Sequence, residues 1–103
     1  MAATPVTPEP GLLSAVAVGG TAVNAVAGGP NGGYITNPYD AADQGLSGVE
    51  PLYINPVTTA TLEGNDTTTR LEPGQTWNII PGQTTPTSVN ATSSGHKFTV
   101  VSW

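Results

Sequence analysis

The chain has 103 residues and a net charge of −5, with two cations, Arg70 and Lys97, and no cysteine. Two cations cannot supply the several phosphate contacts that nucleic-acid binding needs, and the lack of cysteine excludes a disulfide framework or a thiolate metal site. Charged residues make up 9% of the chain, against ~25% in ordinary soluble domains, so Thr, Gly, Pro and Asn carry its solubility. Durable β-proteins that pack against other surfaces have such a composition; enzymes seldom do.

Residues 1–33 contain one charge, Glu9, and little large apolar surface. Alone, such a stretch does not offset its own ordering entropy. It is expected to be an extended arm that precedes a β-domain over residues 34–103. The opening TPVTPEPG (residues 4–11) favours an extended conformation, because proline fixes φ and removes a donor. LLSAVAV (12–18) follows and is open to a short helix or a strand, since period alone does not decide, and its small and β-branched side chains suit close approach to a neighbouring sheet edge. Leu12, Leu13, Val16, Val18, Val23 and Val26 are the arm residues expected to meet a partner. The uncharged run 11–28 is long enough to raise the question of a membrane span, but Ser14, Gly19, Gly20, Thr21 and Asn24 interrupt it and no basic anchor flanks it. Neither a membrane span nor a signal peptide is expected. GGPNGG (28–33) marks the arm–domain boundary.

Beyond it, short runs rich in Thr, Val, Ile and aromatics alternate with Pro and Gly. Strands are expected at 34–36, 52–55, 58–63, 67–72, 76–80, 87–91 and 97–103. The loop 37–51 has room for one helical turn. LEGNDTTTRLEPG (62–74) reads as a hairpin that turns at Gly64-Asn65-Asp66, with Leu62 and Leu71 on one side. Pro73-Gly74-Gln75-Thr76 recurs as Pro81-Gly82-Gln83-Thr84, two type II turn signatures that bracket TWNII. Trp77 and Ile79 then share a face, with Asn78 and Ile80 opposite. In the last strand either both faces are covered or a bulge at Val100–Val101 brings the apolar side chains together. Trp103 is expected to be buried. These features predict an all-β fold, a small antiparallel β-sandwich or a partly open barrel.

Chemistry-bearing residues are sparse. The lone histidine, His96, follows Ser93-Ser94-Gly95, and adjacency in sequence does not align a base with a nucleophile. Asp40, Asp43 and Glu50, and Glu63 with Asp66, read as solvated turn or cap acids, because the alternating ligands of a calcium loop are missing. Asn65-Asp66-Thr67 and Asn90-Ala91-Thr92 match the glycosylation pattern by composition alone. Tyr34, Tyr39, Tyr53, Trp77 and Trp103 could stack on sugars, although a small core competes for them. No catalytic activity, cofactor or metal is expected. Tyr39, Arg70, Lys97 and Trp103 are candidates for contact with a partner or another copy.

The stretch LEPGQTWNIIPGQTTPTSVNATSSGHKFTVVSW (71–103) resembles the closing strands of small structural proteins of tailed-bacteriophage particles, in particular decoration, or cement, proteins. The resemblance is one of turn grammar and covers the last third of the chain. It implies a homo-oligomer, with a trimer favoured, on the outer surface of the virion, bound to the major capsid protein and stabilising the shell. An acidic exterior suits that position. Two alternatives are a head-fibre or tail-associated anchor and a carbohydrate-binding or adhesive β-module.

Overall fold

The computed structural model describes residues 12–16, 19–27, 32–62, 67–81 and 86–102. Eight strands form in chain order: β1 (Leu12–Val16), β2 (Val23–Ala27), β3 (Gly33–Thr36), β4 (Leu52–Asn55), β5 (Thr69–Leu71), β6 (Thr76–Ile79), β7 (Pro86–Asn90) and β8 (His96–Ser102). One short helix, α1 (Ala41–Gln44), lies between β3 and β4. The strands build two four-stranded antiparallel sheets, ordered β1-β8-β3-β6 and β2-β7-β4-β5.

The pairs β1–β8, β2–β7, β3–β6 and β4–β5 nest one inside the next. This is the ladder of a long antiparallel ribbon rolled across both sheets, with the β4–β5 connection at its tip. Such an eight-stranded double sheet is a jelly roll. The sandwich expectation holds, and the rolled topology specifies it further.

The core lies between the sheets and is built from alternate positions. Ile35 and Ile79, with Phe98 and Val100, project from the first sheet; Leu52, Ile54, Leu71 and Val89 project from the second. Each such side chain gains about 1.5–3 kcal/mol from leaving water. Trp77 packs partly against this core on the same face as Ile79, while Asn78 and Ile80 are exposed. Glu72–Gln75 forms the expected type II turn: Gly74 has φ +85° and the Gln75 amide donates to the Glu72 carbonyl at 3.0 Å. The second Pro-Gly turn lies outside the described residues.

Residues 12–27 do not stand apart as an arm. Their two strands, Leu12–Val16 and Val23–Ala27, pair with β8 and β7 and supply an outer strand to each of the chain's own sheets. The sandwich therefore begins at β1 and not at residue 34. The physical reason is that β7 and β8 would otherwise present bare edges, which these two strands satisfy.

Residues 58–63 do not form a strand over their described part, and β5 pairs with β4 instead. Leu62 is exposed while Leu71 is buried, so the two do not share a face. The 56–62 segment instead folds over the outer face of the second sheet. Asn55 Oδ1 accepts the amides of Val57 and Thr58 at 2.9 Å each, the Ala60 amide donates to Ser88 Oγ at 2.9 Å, and Asn90 Nδ2 donates to the Ala60 carbonyl at 3.0 Å. This cover explains why all four residues of β4 are buried. In β8 the register with β3 runs unbroken from Gly33/Ser102 to Thr36/Thr99, so no bulge forms there.

Candidate functional site

The two sheets differ on their outer faces. The second is covered by its own loop, whereas the first is open. Register places Ala15 beside Lys97, Thr36 beside Thr76 and Thr99, and Tyr34 beside Asn78 and Val101 on that open face. Ala15, Thr76, Asn78 and Lys97 are exposed, and Tyr34, Thr36 and Thr99 are half-buried. Thr36 and Thr76 join their hydroxyls across strands at 2.9 Å. Lys97 is the one charge among these eight positions, three are threonines and Val101 is buried, so the described part of the face is threonine-rich and nearly neutral.

At one end of the sandwich, where α1 and the β7–β8 loop meet, lies a buried polar box. Asn37, Gln44 and His96 are fully buried, and Glu50 and Ser93 close the group. Gln44 Nε2 donates to Asn37 Oδ1 at 3.0 Å, with the carbonyls of Pro38 and Glu50 at 2.9 and 3.0 Å, and its Oε1 accepts the Glu50 amide at 2.9 Å. Asn37 Nδ2 donates to the carbonyls of Glu50 and Leu71 at 3.0 Å each. The α1 turn that positions Gln44 ends on Gly45 at φ +73°, with the Gly45 amide donating to the Ala42 carbonyl at 3.1 Å. Asp40 occupies the N-cap position but makes no side-chain cap bond.

His96 Nε2 lies 2.9 Å from Asn37 Oδ1, and Ser93 Oγ donates to Glu50 Oε2 at 2.8 Å. The serine proton is thus directed at a carboxylate, and the imidazole faces an amide oxygen. No base–nucleophile contact exists among these described groups, and the box ties the 37–50 loop to β8 and to the β7–β8 loop. Burial pushes the His96 pKa below its ordinary value, and the nearby Glu50 charge partly offsets this. Nothing in the separate positions 37, 44, 50, 93 and 96 signals the box, because topology alone brings them together.

The residues singled out from sequence disperse over the fold. Val16 is fully buried in the chain's own core, which corrects the expectation that it meets a partner. Val23 packs partly against the same core. Leu12 and Leu13 lie in β1 and Val26 in β2 by backbone, but their side chains lie outside the described residues, as do Val18 and Trp103. Tyr39 is 79% exposed and lies beside Gly74. Arg70 is exposed and forms an ion pair with Glu72, an arrangement that adds little stability at a wet surface. Lys97 projects from the open face, with its aliphatic stem near Gly45. Among the described residues no group of three or more His, Asp or Glu side chains is placed to hold a metal ion.

No family model matches this chain, and neither a curated protein nor a solved structure matches it.

Proposed function

We propose that the chain is a structural virion protein that decorates and stabilises a tailed-phage capsid by binding major capsid protein subunits in many copies. The observation that carries this reading is the asymmetry of the sandwich. One sheet is covered by its own loop, while the other leaves Ala15, Thr76, Asn78 and Lys97 exposed on a nearly uncharged face. Jelly rolls occur among viral capsid domains, although a fold by itself does not fix a function. On this reading Tyr34, Thr36, Thr76, Asn78 and Thr99 meet the shell, Lys97 pairs with a capsid carboxylate, and residues preceding β1 extend the contact. Repetition over a lattice multiplies a weak single contact.

Lectin domains share the architecture, which keeps the adhesive reading as the second choice. It has less support. Trp77 packs against the core and Tyr53 is buried, so the described aromatics do not gather into a stacking platform. The test is co-sedimentation of the full chain with tailed-phage heads stripped of their outer proteins, followed by heating of the heads. Saturable binding with a raised temperature of head disruption is expected. Retention on insoluble polysaccharide without binding to heads would replace the proposal with the adhesive reading.

A further inference from the structure

The strands β1 and β2 pair along one antiparallel ribbon, with a register shift between Asn24 and Ala27. β1 runs along β8 from Leu12/Val100 to Val16/His96, and β2 takes up the same register along β7 from Val23/Val89. Between the two strands the segment crosses from one sheet to the other beside the β7–β8 loop. The Gly95 amide donates to the Val16 carbonyl at 2.8 Å, the Gly20 amide to the Ala91 carbonyl at 2.8 Å, and the Gly19 amide to Ser94 Oγ at 2.9 Å. This strap is remote in sequence from what it binds, 75 residues in the Gly19–Ser94 bond. Of its described side chains, only Val16 and Val23 pack on the core. Without the strap, β8-β3-β6 and β7-β4-β5 remain as two three-stranded sheets, with β7 and β8 as open edges.

We propose that the strap is exchangeable, and that a second copy of this chain can lay its own residues 12–27 along β7 and β8 to form an interlocked oligomer. The interface is already built, since every contact made within one chain recurs between two. Bare strand edges recruit whichever complementary strand is nearest, and concentration decides between the two arrangements. The proposal does not rest on the shell reading.

The absence of native cysteine makes the test direct. Ala15 and Lys97 are opposed and exposed, and opposed antiparallel positions suit a disulfide. The full-length double variant Ala15→Cys/Lys97→Cys is held reduced over a range of concentrations, oxidised after dilution and run under denaturing, non-reducing conditions, with each single variant as control for collisional bridging. Covalent dimers that rise with the holding concentration and exceed both controls are expected. Internally bridged monomers alone at every concentration would overturn the proposal.

Discussion

His96 donates its Nε2 proton to Asn37 Oδ1 across 2.9 Å, and this contact fixes the tautomer of the imidazole. Asn37 spends its amide protons on the carbonyls of Glu50 and Leu71, so its oxygen can only accept. The proton therefore sits on Nε2, and Nδ1 is left as a buried lone pair with no partner among the described residues. Glu50 Oε1 is buried without a partner as well.

This arrangement gives stability a sign with pH. Burial, the larger effect, lowers the folded-state pKa of His96, and the Glu50 charge works against it. The unfolded chain then binds the proton more readily than the folded one. The contribution of His96 is complete above the ordinary imidazole value of about 6.5 and is lost as pH falls through that value toward the folded pKa. The urea midpoint of the native chain should fall between pH 7 and pH 5. His96→Gln should lower stability at pH 7 and show a smaller fall over the same interval. An equal fall in both chains would remove His96 as the cause.

Gln44 is the hub of the polar box. Gln44→Ala strands the Glu50 amide and the Pro38 carbonyl, while Asn37 Oδ1 keeps His96 Nε2 and the Glu50 carbonyl keeps Asn37 Nδ2, and it should cost about 2–3 kcal/mol. Chemical denaturation monitored by Trp fluorescence reads this. A loss below about 0.5 kcal/mol would mean that the loop relaxes and satisfies those groups elsewhere.

Two glycines make a matched pair. A Cβ on Gly19 would lie 2.2 Å from the Thr92 carbonyl oxygen, whereas one on Gly48 meets nothing within 4 Å. Gly19→Ala must push the strap off the β7–β8 loop and should lower stability by about 2 kcal/mol or more, with Gly48→Ala within about 0.5 kcal/mol of the native chain. Thermal unfolding of the two variants side by side decides it.

Trp77 carries a buried indole nitrogen with no acceptor among the described residues. Trp77→Phe removes that orphaned donor while keeping an aromatic ring, so it should shift stability by less than about 1 kcal/mol. Phe98→Ala, which empties a fully buried site in the same sandwich, should cost about 3–5 kcal/mol. Against a typical total of about 5–15 kcal/mol, the second variant should be partly unfolded at room temperature and the first should not.

Much of the strand pattern was legible from composition. β4 has the expected bounds, and β6, β7 and β8 fall within a residue of theirs, because β-branched and aromatic runs bounded by Pro and Gly need no tertiary help to be recognised. The Gly74 turn was legible for the same reason. Partnership was not. Residues 58–63 have strand composition, yet the side chains of Asn55, Ser88 and Asn90 capture that backbone, and those residues are separated by up to 30 positions from Ala60. The small, uncharged N-terminal run carries little large apolar surface, and the ladder with β7 and β8 that orders its two strands lies too far along the chain for local pattern to disclose. The polar box was hidden likewise, since Asn37 and His96 are 59 residues apart.

The rolled ribbon also dictates an order of events during synthesis. Gly19 leaves the ribosome 75 residues before its partner Ser94, which at about 5–20 residues per second is a wait of roughly 4–15 s. Throughout that interval the nascent chain holds an unmatched strap, and the sandwich cannot close until β7 and β8 emerge.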